Sequence, residues 1–153
     1  MVGSSCLVDT NILLRLVQPD SDAYGVIRQC ADRLWECGAE LFYTSQNLAE
    51  FWNVCTRPAE RNGFGLSIAE TDELAALIES KFLFVADSEA THQEWRRMVV
   101  ALAISGIQVH DARMLAAMRV HGIPNLLTLN TKDFLRFSGI AVFSPDDMLA
   151  SLS

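Results

Sequence analysis

The sequence predicts an α/β fold in which a central, mostly parallel five-stranded sheet lies between two layers of helices. Two observations predict it. Short apolar segments of strand length alternate with longer segments of helical periodicity from one end of the chain to the other. The first of them, Cys6-Leu7-Val8, is apolar throughout, as suits a strand buried on both faces, and it stops on Asp9 before turning directly into a helix. No internal repeat, low-complexity tract or linker interrupts the pattern, so a single domain over residues 1–153 is expected.

Thr10 and Asn11 are good residues for opening the first helix, which Gln18-Pro19-Asp20-Ser21-Asp22 breaks. Tyr24, Ile27, Ala31, Leu34 and Trp35 then recur at helical spacing up to Gly38, a C-terminal stop. Leu41-Phe42-Tyr43-Thr44 reads as the second strand, and the helix after it runs from Gln46 to Thr56 and ends before Pro58. Pro58 to Gly65 is a polar loop. Ser67-Ile68-Ala69-Glu70 has the spacing of a capping box and starts a helix that reaches about Ser80. Phe82-Leu83-Phe84-Val85 is the third strand. Ser88 opens a long helix with Trp95, Val99 and Leu102 along one stripe, closed by Gly106.

A link, Ile107-Gln108-Val109, leads to a helix begun at His110-Asp111 and stopped by Gly122. Leu126-Leu127-Thr128-Leu129 is the fourth strand, ending at Asn130, and a short helix covers Asp133 to Phe137. Ile140-Ala141-Val142-Phe143 is the fifth strand. Ser144-Pro145-Asp146-Asp147 starts the last helix with a cap, a first-turn proline and acidic residues that suit the helix dipole.

Half of the 153 residues are hydrophobic and a fifth are charged, which excludes a disordered chain. No apolar run is long enough to cross a bilayer, and no basic segment precedes a long apolar stretch at the N-terminus, so a cytoplasmic location is expected. Cys6, Cys30, Cys37 and Cys55 form no Cys-x-x-Cys pair and have no histidine nearby in sequence; all are read as reduced, structural thiols. The net charge of −7 argues against a general nucleic-acid-binding surface. A nucleic-acid enzyme is not excluded, because part of the acidity can belong to a site neutralised by a cation.

Candidate chemistry gathers at strand ends. Asp9 ends the first strand, Glu50 stands among Leu48, Ala49, Phe51 and Trp52 in the helix after the second, and Asp111 opens the helix after the short link. Asn130 ends the fourth strand, with Asp133 just beyond it. Each has a local reading as well: Asp9, Asp111 and Asp133 as helix caps, Glu50 as a solvent-facing residue, Asn130 as the close of a turn. Their common location is what counts, since ligands in such sheets bind outside the carboxyl ends of the strands. Carboxylates crowded there repel unless a cation holds them, and an all-oxygen donor set without Cys or His suits Mg²⁺ or Mn²⁺. His110 is read as a local hydrogen-bonder.

Four segments together resemble the successive motifs of PIN-domain proteins: Asp9-Thr10-Asn11-Ile12-Leu13-Leu14, Ser45-Gln46-Asn47-Leu48-Ala49-Glu50-Phe51, His110-Asp111-Ala112-Arg113-Met114-Leu115-Ala116-Ala117 and Thr128-Leu129-Asn130-Thr131-Lys132-Asp133-Phe134. Within that superfamily the chain is most similar to the VapC-like ribonucleases, the toxin halves of bacterial toxin–antitoxin pairs. The resemblance implies a three-layer PIN-like α/β/α fold and a Mg²⁺- or Mn²⁺-dependent endoribonuclease. Asp9, Glu50 and Asp111 match the acidic metal-binding triad, and Asn130 stands where many members carry a fourth acid. Thr10 and Ser45 match positions where a hydroxyl supports the site, and Asp133 matches an aspartate that acts behind the metal ligands.

Asn11, Arg15, Arg113, Arg119 and Lys132 lie near these motifs as candidate RNA contacts, each with the alternative of an ordinary surface residue. The resemblance further implies an RNA substrate such as tRNA, a cognate antitoxin and a homodimer, with no membrane partner. A PIN-like module that binds RNA or protein without cutting is the competing expectation, and a phosphoryl-transfer receiver domain a third.

Overall fold

The computed structural model describes residues 4–153. Its strands are β1 (Ser5–Val8), β2 (Glu40–Thr44), β3 (Leu83–Val85), β4 (Asn125–Leu127) and β5 (Ala141–Phe143). They form one sheet in the order β3-β2-β1-β4-β5, and every pairing is parallel. The helices are α1 (Thr10–Leu16), α2 (Tyr24–Glu36), α3 (Ser45–Thr56), α4 (Ile68–Lys81), α5 (Glu89–Ala101), α6 (Gln108–His121) and α7 (Pro145–Ser151). The chain leaves central β1 for β2 on one side and later returns to β4 on the other. The strand order therefore reverses at β1, which opens a crevice at its carboxyl end.

The three layers follow from the two-residue period of the strands. Cys6 and Val8 of β1 and Leu127 of β4 point into one core, with Ile12, Leu34 and Phe51 from α1, α2 and α3. Leu7 and Leu126 point the other way, into a second core with Met98 of α5 and Leu115 and Met118 of α6. The apolar residues of the central strands β1 and β4 are thus covered by helices on both faces. Cys6, Cys30, Cys37 and Cys55 are all free thiols, three of them buried in the first core. No helix among the described residues is long and apolar enough to cross a membrane.

The capping signals act as their chemistry requires. Ser67 and Glu70 form the reciprocal capping box of α4, and the Ser144 hydroxyl accepts from the Asp147 N–H ahead of α7. Gly122, at φ +68°, ends α6 in the left-handed conformation that glycine adopts without a Cβ penalty.

Four elements differ from the sequence expectation by two residues or more. Helix α5 stops at Ala101, well before Gly106, because Ala103 takes the left-handed turn position at φ +52° that glycine usually fills. The Ala103 and Ile104 N–H groups then bond the Val100 and Val99 carbonyls, closing the helix, and Ile104 is buried. Helix α6 starts at Gln108 and not at His110-Asp111, so the supposed link is its first turn. Asp111 consequently lies inside the helix and caps nothing; the cap position is Ile107, without a side-chain bond. Strand β4 ends at Leu127, since the Leu129 N–H is drawn to the Asn11 side chain. Finally, the short helix expected from Asp133 is a 3-10 turn, Thr131–Phe134, whose cap position is Asn130. Asp133 is therefore not a helix cap either.

Leu126 is fully buried at the centre of the sheet, whereas Leu135 is 81% exposed. Leu126→Ala is expected to lower unfolding free energy by about 2–5 kcal/mol, and Leu135→Ala by about 0.5 kcal/mol or less. Urea denaturation of the two variants measures the contrast.

Candidate active site

The site is built outward from the carboxyl end of β1. The Asp9 N–H still bonds the Leu127 carbonyl of β4 at 2.9 Å, so its backbone is held in the sheet while its side chain leaves it. One carboxylate oxygen accepts from the Thr10 N–H at 2.8 Å, which makes Asp9 the cap of α1. The other accepts from the Thr128 hydroxyl at 2.7 Å and from the Asn11 amide at 3.4 Å. Asn11 also donates to the Thr128 hydroxyl at 3.4 Å and accepts from the Leu129 N–H at 3.2 Å. Asn11 therefore fastens the β4 exit to α1.

Glu50 is positioned by a buried polar chain. Asn47, fully buried, closes a capping box with Thr44 at the start of α3. Its amide then donates to the Thr10 hydroxyl at 3.2 Å and to the Met114 sulfur at 3.4 Å. Thr10 in turn donates to a Glu50 carboxylate oxygen at 3.4 Å. One asparagine thus ties α3 to α1 and α6 and sets the turn on which Glu50 stands. Asn47 and Thr128 carry no assigned role in the sequence reading. The Thr44-x-x-Asn47 spacing is a capping signal that points to the first, whereas nothing local to Thr128 predicts its bond to a residue 119 positions away.

Asp111 projects from the first turn of α6. Burial raises its carboxyl to about 6, with the charges of Asp9, Asp133 and Glu50 adding to the rise and His110 opposing it. Asp9 is raised too, chiefly by burial; the Thr128 and Thr10 hydrogen bonds pull it back down, and Asp133 adds repulsion. Asp9, Glu50, Asp111 and Asp133 therefore share one electrostatic neighbourhood. Among the described residues, none of the four is ion-paired with a basic side chain.

The remaining candidates are more peripheral. Ser45, the first residue of α3, is exposed, and its hydroxyl bonds no other described group; the hydroxyls that touch the acids belong to Thr10 and Thr128. Asn130 is exposed, with its backbone N–H on the Thr128 hydroxyl at 3.0 Å. Arg15 reaches Gln18, Arg113 pairs with Asp87, and Arg119 donates to Glu94 and to the Ser138 carbonyl. Lys132 is exposed beside Asp133 and is in no ion pair with another described residue.

Comparison with known proteins agrees with this architecture. None of the curated proteins matches the chain. Among solved structures, VapBC-1 from nontypeable Haemophilus influenzae superposes with a TM-score of 0.69 at 15% identity, over 93% of this chain and 98% of that one. VapBC2 from Rickettsia felis, bound to a DNA fragment from its promoter, gives 0.67 at 15% identity, over 92% and 98%. The Mycobacterium tuberculosis toxin VapC20, which cleaves the Sarcin-Ricin loop, gives 0.56 at 22% identity, over 79% and 86%. At such identities these are likenesses of fold. The family model for the PIN domain matches residues 6–140, most of the sequence and every element that carries an acidic residue of the site, and the chain belongs to the PIN domain family.

Proposed function

We propose that this chain is a Mg²⁺- or Mn²⁺-dependent endoribonuclease, the toxin of a toxin–antitoxin pair, working as one PIN domain with Asp9, Glu50 and Asp111 at its centre. The observation that carries the proposal is the set of carboxylates at the crevice beside β1, unpaired with any described basic residue and close enough in space to add to the burial that raises Asp111 to about 6. A fold spends stability on such repulsion, and a bound cation would relieve it.

The donor chemistry fits a hard divalent ion, because only oxygen is offered. Among the described residues, no three His, Cys, Asp or Glu side chains stand within reach of one ion. Mg²⁺ is commonly held by one or two carboxylates with several waters, so Asp9 and Asp111 would hold it and Glu50 would act through water. Bound there, the ion would supply charge relief to a phosphodiester and lower the pKa of an attacking water. The protein's own part is to hold these groups still. Thr10 and Thr128 orient Glu50 and Asp9 through their hydroxyls, and Asp133 adds negative potential from the neighbouring 3-10 turn. Of the basic candidates, Lys132 and Arg15 are in no ion pair with another described residue and would meet RNA phosphates.

The fold likeness to VapBC complexes supports a cognate antitoxin as partner, and the likeness to a Sarcin-Ricin-loop-cleaving toxin supports structured RNA as substrate, tRNA included. A homodimer belongs to the same proposal.

Purified protein is expected to cut structured RNA with Mg²⁺ or Mn²⁺ and to stop when EDTA is added. Cleavage that persists in chelator, with contaminating nuclease excluded, refutes the mechanism; well-folded protein inert toward tRNA and ribosomal RNA favours a binding module.

In the same assay Asp111→Asn is expected to lower kcat/KM by about a hundredfold or more, and Asp133→Asn by about tenfold or less. Asp133 is exposed in its turn, and its charge acts at a distance. Equal, severe losses in two folded variants would make Asp133 a ligand.

Thermal melts separate a metal ligand from a helix cap at Asp9. Because burial raises the folded-state pKa of Asp9, its ionised form costs stability at neutral pH, and that cost disappears as pH falls through the raised value. Asp9→Asn keeps the bond from the Thr10 N–H, loses the one from Thr128 and sheds the buried charge. The metal-free variant should therefore match the parent within about 1 kcal/mol. Metal at a hundredfold excess over its Kd should stabilise the parent by about 2.7 kcal/mol and the variant far less. Matching metal responses would remove Asp9 from the ligand set.

A further inference from the structure

On the far side of α3 from the core, a cleft of 460 Å³ lies between that helix, α4 and the sheet edge at β3. Tyr43, Trp52 and Phe84 form its aromatic wall, and Glu79 stands at its rim. Phe84, on the edge strand β3, is 52% exposed, its ring 5.4 Å from that of Tyr43. The Trp52 indole N–H and the Glu79 carboxylate bond no other described group; burial raises the Tyr43 phenol, and Glu79 is near enough to add to the rise. A tryptophan and a phenylalanine left together in a concave site are unlike the singly scattered apolar residues of an ordinary surface.

The cleft opens toward the acidic centre. Ser45 and Ala49 line it and also line an adjoining groove of 390 Å³, whose other walls include Gln46, His110 and the Asp87–Arg113 pair. The Gln46 amide bonds the His110 carbonyl at 3.0 Å across that groove. His110 precedes Asp111 and is close enough to oppose its rise in pKa. A polar channel with a histidine and an arginine thus runs from beside Asp111 to an aromatic pocket, with the exposed helix face that carries Ser45 and Ala49 as its floor.

We propose that this cleft is the subsite for a guanine base of the RNA, stacked against Trp52 and Phe84 with Glu79 accepting from its Watson–Crick edge. The proposal rests on the nuclease reading above and extends it to base selection. Sequence-specific RNA recognition works through splayed bases stacked on aromatic rings. The choice among bases follows from Glu79, an acceptor only when ionised. Guanine presents two adjacent donors, N1–H and N2–H, that a carboxylate receives together. Adenine and cytosine each set one amino donor beside a ring-nitrogen acceptor, which a carboxylate repels. Uracil flanks its single N3–H with two carbonyls. The groove between the cleft and the acidic centre, with His110 and the Asp87–Arg113 pair along it, is where the intervening backbone would run.

The test is binding without catalysis. Chelator-treated full-length protein at low salt is titrated with labelled uridine hexamers carrying one guanosine, adenosine, cytidine or no substitution, and anisotropy gives Kd. The guanosine hexamer should bind about tenfold more tightly than the others. Glu79→Gln should erase that preference while leaving the other three affinities within about twofold. Trp52→Ala should weaken the guanosine hexamer about tenfold, and Trp52→Phe, which keeps a stacking face and guards against misfolding, should restore most of it. Equal affinities for the four hexamers, or none measurable, overturns the subsite. So does a Trp52→Ala variant that turns a dimer into a monomer in sedimentation with binding unchanged, since the cleft is then covered by a second copy. Base-selective binding with no cleavage on adding Mg²⁺ keeps the subsite and sinks the nuclease; cleavage indifferent to Trp52 and Glu79 does the reverse.

Discussion

The bond from the Thr128 hydroxyl to the Asp9 carboxylate is the contact on which the rest of the site depends. It joins the ends of adjacent parallel strands where the strand order reverses and two chain paths diverge, one into α1 and the other toward the 3-10 turn. Backbone pairing between Asp9 and Leu127 brings the two ends level, and the hydroxyl then fixes which way the carboxylate faces. Asn11 reinforces the same junction by holding the Leu129 N–H. With Asp9 so fastened, α1 starts in one direction only, and Thr10 arrives where Asn47 and Glu50 can meet it.

That junction imposes an electrostatic cost the fold does not settle internally. Asp9 is mostly removed from water, and only hydrogen bonds from a hydroxyl, a backbone N–H and an amide offset its charge. Neutral donors of this kind orient a carboxylate without neutralising it. Arg113, the basic residue two positions from Asp111, is turned away and engaged with Asp87, and Arg119 is engaged with Glu94. These two arginines are thus held by acids outside the site. An arginine salt-bridged to Asp9 or Asp111 would stabilise the metal-free protein and compete with any cation for the same oxygens. With both arginines engaged elsewhere, the carboxylates of the site keep their oxygens clear of any ion pair among the described residues.

The fold was largely legible in the sequence because it rests on periodicity, and periodicity is local. Strand positions, the alternation with helices, the capping boxes and the stops at Gly38 and Gly122 all lie within a few residues of their causes. Errors arose where one residue broke its usual habit. Ala103 occupies a glycine position, so the end of α5 carried no glycine to mark it, and Asp111 sits beside a helix start without capping it. The identity of the acids was readable as motifs, and the fold does bring Asp9, Glu50 and Asp111 to one neighbourhood. Their supports were readable only in part: Thr10, marked as a hydroxyl beside the acids, does bond Glu50, but Thr128 meets Asp9 only through parallel pairing, and Asn47 meets Thr10 and Met114 only once three helices have packed. Such contacts are set by topology, and no spacing rule along the chain encodes them.

Helix α3 shows how few residues such a site needs. Asn47, Phe51 and Cys55 recur every four positions and form its buried stripe, so the helix docks by an apolar row whose first member is polar. Asn47 converts the top of that row into a hydrogen-bond junction, which costs little because each of its amide groups finds a partner. The adjoining row carries Glu50, one turn past the junction, and the row beyond it carries Ser45, Ala49 and Trp52 on the exposed side. Core, acid and open cleft therefore succeed one another around a single helix. A rotation of α3 by one residue, about 100°, would bury Glu50 and expose Phe51. The packing that keeps Phe51 in the core is for that reason also what keeps the carboxylate at the crevice and the indole at the cleft.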